Sequence, residues 1–207
     1  MFKNKKILFL SPHPDDTEFY CGGIIAKLIQ DNTIMNIAFS DCSISVPDYF
    51  PNDILKVEFM KAMNTAGIKH YDLRECPVRR FNECRQDILE YMVRVNKEFN
   101  PDIVFMPSAN DTHQDHEVIR KEALRAFKSK CLISYEVTLN SFDHSFNLVV
   151  ELDQSHIDKK LEIIKCYKSQ ELRFYSSPDY IVSCAKIAGA YIQKQYAETF
   201  KIIKWIG

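Results

Sequence analysis

Two short segments of the 207-residue chain carry residue types that could bind a metal ion and move protons. One is His-Pro-Asp-Asp at residues 13–16, and the other is His-Gln-Asp-His at residues 113–116. Imidazole nitrogens and carboxylate oxygens are ligands that Zn²⁺ accepts, and three protein ligands leave a fourth position open for water. Pro14 stiffens the first turn, so that His13 and Asp16 can face a common point. The two segments therefore indicate one catalytic metal site with an acid/base pair.

Each segment follows a predicted strand, and ligands of open parallel sheets collect at such strand ends. Residues 6–11 form a short apolar run before the first segment, and residues 103–107 form the clearest strand, a short loop before the second. Taken alone, the first segment could be a turn with a helix cap, and His113 and His116 could be solvated residues in the first turn of a helix. Their joint placement after two strands favours a shared site.

Strand and helix signals alternate along the whole sequence. Further strands are predicted at residues 34–39, 70–73, 132–139, 145–152 and 200–206, and helices at residues 18–30, 53–66, 82–99, 114–128, 155–168 and 181–195. The strand at 145–152 alternates apolar and polar residues, which is typical of a sheet edge. No linker or repeat interrupts the pattern, so we expect residues 1–207 to form a single α/β domain. Its sheet should be mostly parallel, with additional β structure near the C-terminal end.

Composition and charge limit the partners of the protein. The formal net charge is -1, and the Lys and Arg residues are scattered without a long basic block, so neither nucleic acid nor a membrane surface is indicated. A small-molecule partner fits better. The apolar run at residues 7–10 is too short for a signal peptide, so we expect a cytoplasmic protein without membrane insertion. The aromatic-rich tail, residues 191–205, is compatible with core packing or with the surface of a homo-oligomer.

The cysteines and glycines indicate packing and not chemistry. Seven widely spaced cysteines without a C-x-x-C pair argue against a disulfide framework or a thiolate metal site, and we expect most of them to be buried. Gly22 and Gly23 belong to neither G-x-G-x-x-G nor a P-loop motif, which disfavours a dinucleotide-dependent oxidoreductase. Close helix packing is the better interpretation of these two glycines.

Three stretches are similar to signatures of the LmbE-like, or PIG-L, deacetylase family: residues 11–18 (SPHPDDTE), 21–23 (CGG) and 111–116 (DTHQDH). Residues 100–102 (NPD), 169–170 (SQ) and 196–198 (YAE) also resemble members of the family, so that the resemblance covers most of the chain. It implies a Rossmann-like, three-layer α/β fold. The implied activity is that of a zinc-dependent hydrolase that removes N-acetyl groups from N-acetylglucosamine-type sugars, or that cleaves related non-peptide amides.

The resemblance also implies roles for individual residues. The implied ligands of Zn²⁺, or of another divalent metal, are His13, Asp16 and His116. Asp15 would be the general base that takes a proton from the metal-bound water. His113 would stabilise the tetrahedral oxyanion as a cation or as a donor, and Asp115 would keep His113 charged. Asp15 and Asp16 point in different directions from a turn, and the sequence leaves open which of the two binds the metal.

The residues that would contact the substrate are less defined. Residues 76–79 (CPVR) resemble a place where relatives present an arginine to substrate. Arg79, or its neighbour Arg80, could pair with a hydroxyl, carboxylate or phosphate, and a surface salt bridge is an equal alternative. Residues 40–44 (SDCSI) lack the Thr-x-Gly-Glu loop of many sugar and thiol-pathway deacetylases. The substrate rim is therefore expected to differ from theirs.

Two hypotheses of different classes follow. The first is a metal-dependent hydrolase acting on a small-molecule N-acetylated sugar or sugar conjugate. The second is a non-hydrolytic, metal-containing sugar-binding protein. Asp15 and His113 favour the first, because neither residue is needed merely to hold an ion.

Overall fold

The structure, a computed structural model, describes residues 2–207. Its strands are β1 (Lys6–Ser11), β2 (Thr33–Ala38), β3 (His70–Leu73), β4 (Ile103–Pro107), β5 (Cys131–Tyr135), β6 (Leu148–Leu152) and β7 (Tyr196–Lys204). Its α-helices are α1 (Asp16–Leu28), α2 (Ile54–Ala66), α3 (Arg85–Glu98), α4 (Gln114–Ala126), α5 (Gln154–Ile164) and α6 (Pro178–Ala190). No helix among the described residues is both long and apolar enough to cross a membrane.

The strands form one sheet in the order β3-β2-β1-β4-β5-β7-β6. The first five strands in this order are parallel to one another, whereas β7 runs antiparallel to both β5 and β6. The predicted mostly parallel α/β sheet with additional C-terminal β structure is therefore confirmed, and β6 is the edge strand that its alternating sequence predicted. The strands β2 and β3 follow β1 on one side, whereas β4 and β5 lie on its other side. This change of side creates a crevice at the carboxyl ends of β1 and β4.

Alternate side chains of the central strand β1 enter two hydrophobic cores. Ile7 and Phe9 pack on the side covered by α1, α2 and α5, whereas Leu8 and Leu10 pack on the side covered by α3 and α4. All four side chains are fully buried, as expected for a parallel strand covered on both faces. The result is the three-layer arrangement that fixes the ends of β1 and β4 rigidly beside each other.

The two glycines of α1 permit a close approach of neighbouring elements, as the sequence predicted. A Cβ atom on Gly22 would lie 2.8 Å from Lys160 Cγ, and one on Gly23 would lie 2.8 Å from Glu198 Oε1. The Glu198 carboxylate instead accepts hydrogen bonds from the backbone N–H groups of Gly23 (2.9 Å) and Ile24 (2.7 Å). These glycines therefore let β7 anchor α1, the helix that begins at the candidate site.

The elements deviate from the sequence prediction mainly after β5. The predicted strand at 132–139 ends at Tyr135, and residues 138–140 form a 3₁₀ turn. The chain leaves the sheet here because Asn140 O accepts the backbone N–H of Thr112 (3.0 Å), in the loop after β4. Four cysteines are buried, as expected of most of them, whereas Cys184 is exposed.

Candidate metal centre and active site

The ends of β1 and β4 place the two histidine segments in one crevice. The chain leaves β1 at Ser11, turns through residues 12–15 and enters α1 at Asp16. The loop after β4 leads to His113, which is the N-cap of α4. Because β1 and β4 are adjacent and parallel, both segments emerge at the same edge of the sheet.

Three side-chain atoms form a nearly equilateral triangle at the centre of this crevice. His13 Nδ1 lies 3.3 Å from Asp16 Oδ2 and 3.3 Å from His116 Nε2, and His116 Nε2 lies 3.4 Å from Asp16 Oδ2. Ligands on a tetrahedral ion with bonds of about 2.0–2.1 Å are separated by about 3.3–3.4 Å. The donor set and its spacing therefore fit Zn²⁺, and these are the three residues that the family resemblance implies as ligands.

The imidazole of His113 offers an alternative third nitrogen. One ring nitrogen from each of His13, His113 and His116 lies within 4.8 Å of the other two. The Nδ1 atom of His113, however, accepts the backbone N–H of Asp115 at 3.1 Å and thereby caps α4. Asp16 therefore completes the tighter ligand set, whereas His113 flanks it.

Each of the two histidines in the triangle has a carboxylate behind it. His13 Nε2 lies 3.0 Å from Asp115 Oδ2, and His116 Nδ1 lies 2.6 Å from Asp111 Oδ2. Such carboxylate partners fix the ring orientation and the tautomer of metal-binding histidines. This pairing leaves His13 Nδ1 and His116 Nε2 aimed at the common point.

The carboxylates make this point strongly attractive to positive charge. Burial lowers the pKa of His13, but the hydrogen bonds to Asp115 and Asp16 outweigh it and raise the pKa to about 9. Burial likewise lowers the pKa of His116, while the charges of Asp16 and Asp111 raise it to about 10. An environment that holds protons on two buried imidazoles also attracts a divalent cation, which would compete with those protons.

Asp15 and Asp16 differ in environment although they are neighbours in sequence. Burial raises the pKa of Asp15 to about 7, and the negative charge of Asp16 adds to the increase. For Asp16, burial is outweighed by the two adjacent histidines, which hold its pKa well below the usual range. Asp16 thus remains charged, while the Asp15 carboxylate can accept a proton near neutral pH.

The carboxylate of Asp115, which the resemblance assigns to keeping His113 charged, lies against His13. The fully buried Asp115 carboxylate contacts His13, and it also accepts the backbone N–H of Arg79 at 2.6 Å. Burial and the positive charges of His13 and His116 lower the pKa of His113 to about 4. This lowered pKa favours the neutral form of His113 near pH 7. Since its Nδ1 atom accepts a hydrogen bond, its proton resides on Nε2, which can donate.

Arg79 lies at the rim of the same cavity, which has a volume of about 340 Å³. Its backbone adopts a left-handed conformation, with φ of 68°, which is uncommon for a residue other than glycine. This conformation directs the backbone N–H at Asp115, while the exposed guanidinium donates to Ser45 Oγ at 2.9 Å. Arg80 points elsewhere and pairs with Glu83. The structure thus brings Arg79, and not Arg80, to the site.

A family description, PIG-L: GlcNAc-PI de-N-acetylase, matches residues 8–127, which is more than half of the chain. The chain belongs to this family. The matched range begins in β1 and extends to the end of α4, so that it contains both histidine segments and both strands that position them.

Solved structures of three other proteins share this fold. The A40926 pseudoaglycone deacetylase Dbv21 is 18% identical, with a TM-score of 0.81 over 99% of this chain and 100% of that one. The N,N'-diacetylchitobiose deacetylase from Pyrococcus horikoshii is 20% identical, with a TM-score of 0.79 over 96% and 84% of the two chains. GalB, the 4-carboxy-2-hydroxymuconate hydratase from Pseudomonas putida, is 17% identical, with a TM-score of 0.78 over 98% of each. Since this fold is shared by deacetylases and a hydratase, the reaction must be argued from the site.

The buried Glu18 supports the turn between β1 and α1. The hydroxyl of Tyr167 donates to the Pro14 carbonyl oxygen and lies 3.1 Å from Glu18 Oε1, while Thr17 Oγ1 donates to Glu18 Oε2 at 3.0 Å. Burial raises the pKa of Glu18 to about 8, so that a neutral carboxyl is favoured near pH 7. Glu18 is therefore part of a polar network that supports the turn carrying His13.

Asp111 is the site residue that the sequence reasoning missed. It precedes His113 by two residues, and its Oδ1 atom accepts the backbone N–H of His113 at 2.9 Å while its Oδ2 atom contacts His116. A usable signal existed, because a metal-binding histidine usually has a carboxylate partner and Asp111 is an acidic residue close to His116 in sequence.

Replacing Asp111 by asparagine is expected to weaken metal affinity about 10–100-fold, because the negative charge opposite His116 is lost while the shape is retained. Titration of the metal-free protein with Zn²⁺ in the presence of a competing chelator measures the effect. Asp31→Asn, at an exposed loop position outside the site, is the matched control. Equal affinity of Asp111→Asn and the control would contradict the assigned role of Asp111.

Proposed function

We propose that this protein is a zinc-dependent hydrolase that removes the N-acetyl group from an N-acetylglucosamine-type sugar or sugar conjugate. The observation that carries the proposal is the triangle of His13, Asp16 and His116, with edges of 3.3–3.4 Å, next to a separate carboxylate. A site that merely stored an ion would not need Asp15, whose pKa is raised to about 7 and which lies in the same cavity.

The proposed division of labour follows from the local environments. When bound, the ion would polarise the amide carbonyl and acidify a water molecule. Asp15 accepts the proton of the attacking water and, once protonated, can return it to the leaving amine. His113 donates its Nε2–H to the oxygen that becomes negative in the transition state, as a neutral donor and not as a cation. Asp115 acts through His13, whose ring it orients.

The proposed substrate class is supported by the rim of the cavity and by the family. The Arg79 guanidinium and Ser45 hydroxyl form a hydrogen-bonded pair at the mouth, which could contact sugar hydroxyls. The similar structures include deacetylases for N,N'-diacetylchitobiose and for the A40926 pseudoaglycone. Membership in a family described by GlcNAc-PI de-N-acetylation favours the same bond here.

The test is the release of primary amine by zinc-loaded protein from a panel of N-acetylated sugars, nucleotide sugars and glycosides. Free N-acetylglucosamine and its methyl β-glycoside should be included, so that cleavage can be detected without an aglycone contact. Activity should disappear with a chelator and return with added metal. If protein with about one equivalent of zinc releases no amine from any member of the panel, the proposal is wrong.

His113→Ala is expected to retain the metal and to lower kcat by about 10²–10³, because one oxyanion donor is lost. KM should change little. The alanine also removes the N-cap of α4, which on its own affects stability by about 1 kcal/mol. His113→Asn is therefore the matched variant, because asparagine can cap the helix but does not extend to the position of the imidazole Nε2. If His113→Asn keeps full turnover, His113 is only a helix cap.

A further inference from the structure

Six segments of the chain meet at the amino edge of the sheet, which is the edge opposite the crevice. We name these segments together the amino-edge face: residues 2–6, 31–33, 67–70, 97–102, 127–131 and 203–207. The first five segments lead into the parallel strands β1 to β5, whose amino ends share one edge. The sixth segment reaches the same edge because β7 runs antiparallel to β5.

Contacts across the segments join them into one surface. Lys204 Nζ, at the end of β7, donates to the Lys128 carbonyl oxygen at 2.6 Å. Lys130 Nζ, just before β5, donates to Asn100 Oδ1 at 2.5 Å, in the segment before β4. Lysines that are scattered in the sequence therefore lie together on the folded protein.

The amino-edge face is strongly positive, although the chain as a whole is nearly neutral. Its segments contain eight lysines and three acidic residues, whereas the formal net charge of the chain is -1. Within residues 2–207, Lys3 is the one lysine of this face that forms an ion pair, with Asp31 at 3.8 Å. The other seven ammonium groups have no carboxylate partner there. The lack of a long basic block in the sequence thus did not exclude a basic surface.

Exposed apolar side chains lie on the same face. Ile203, Trp205 and Ile206 are 38%, 38% and 47% exposed. Trp205 is the only tryptophan of the chain, and its ring meets that of Phe2 edge to face, with centroids 6.3 Å apart. An indole ring with lysines around it is typical of protein surfaces at the boundary between a membrane and water.

We propose that the amino-edge face docks the protein on a bilayer that contains anionic phospholipids. The lysines contact the lipid headgroups, and Trp205 with Ile206 enters the boundary between headgroups and acyl chains. The aliphatic neighbours of Trp205 favour a lipid over a nucleic acid. None of the six segments contains arginine, the residue best suited to nucleic-acid phosphates, which favours the same choice.

Docking through this face leaves the candidate site open to water. His13 and His116 follow the carboxyl ends of β1 and β4, which are six and five residues long. A strand advances about 3.3 Å per residue, so the crevice lies about 17–20 Å from the amino edge. The inference is therefore independent of the proposed hydrolysis, and it can be tested without a substrate.

The fluorescence of Trp205 reports docking without a label, because no other tryptophan contributes. The unmodified chain is titrated with vesicles of phosphatidylcholine alone, and with vesicles of equal parts phosphatidylcholine and phosphatidylglycerol. With the anionic vesicles, we expect the emission to move to shorter wavelength and brominated acyl chains to quench it. Added salt should weaken this binding, because it screens the lysine charges.

The double variant Lys128→Gln/Lys204→Gln should lower the partition coefficient for anionic vesicles about 30-fold, because each lysine near an anionic surface contributes about fivefold. Lys128→Gln alone should lower it about fivefold, which keeps the test valid if the double variant misfolds. The matched control is Lys56→Gln/Lys61→Gln, which removes the same charge from exposed positions on α2. Its partition coefficient should remain close to that of the unmodified chain.

Three results would overturn docking on a bilayer. One is equal partitioning into the neutral and the anionic vesicles, and another is an equal loss of binding in the two double variants. The third is the absence of quenching by brominated acyl chains. If single-stranded RNA binds tightly in that case, the face recognises nucleic acid. If the molecular mass rises with protein concentration instead, the face is a contact between copies of the chain.

Discussion

His116→Ala and His13→Ala are each expected to lose both the bound metal and amide hydrolysis, whereas the unmodified protein should carry about one equivalent of zinc. Each substitution removes one corner of the triangle with edges of 3.3–3.4 Å. It also leaves a buried carboxylate without its histidine partner, which is Asp111 in the His116 variant and Asp115 in the His13 variant. The loss of affinity should therefore exceed the about 10–100-fold that removal of an outer partner costs.

Elemental analysis of the purified variants measures this loss, with circular dichroism to verify that the sheet and helices persist. His70→Ala is the matched control, because His70 is exposed on β3, away from the crevice. Retention of about one equivalent of metal in both site variants would contradict the ligand assignment, even if the variants lost hydrolytic activity.

The features that the sequence did predict depend on local patterns. Short apolar runs bounded by turn residues predicted β1 and β4 at their observed positions, and Gly67 ends α2 in a left-handed conformation with φ of 76°. The rule that ligands collect at the carboxyl ends of parallel strands then brought residues 13–16 and 113–116 together. This rule needs only the strand assignments and not the full strand order.

The contacts of individual carboxylates could not be read from spacing. Asp115 follows His113 by two residues, and this closeness suggested a pair. At the start of a helix, however, residues two apart point in different directions. Asp115 therefore faces His13, about one hundred positions away in sequence. The position of the Asp115 carboxylate also depends on the left-handed backbone conformation of Arg79, whose N–H donates to it. No local sequence pattern indicated this conformation.

Asp15→Asn and Asp16→Asn, two isosteric changes at adjacent positions, are expected to separate base from ligand. Asp15→Asn should retain the metal and lose about 10²–10⁴ in kcat, because the amide cannot accept the proton of the attacking water. Asp16→Asn should lose metal affinity, because a neutral amide replaces the charged carboxylate that lies next to His13 and His116. Metal content and kcat of both variants, measured at the same zinc concentration, give the comparison.

This pair of variants also distinguishes the two candidate ligand sets. If His113 and not Asp16 were the third ligand, Asp16→Asn would keep its metal and His113→Ala would lose it. The structure favours Asp16, because its Oδ2 atom is within 3.4 Å of both histidine nitrogens while His113 Nδ1 is engaged by the Asp115 backbone. If Asp15→Asn loses the metal and Asp16→Asn retains it, the two aspartates have exchanged roles. The geometry argues against that exchange, because it is Asp16 Oδ2 that lies within 3.4 Å of both His13 Nδ1 and His116 Nε2.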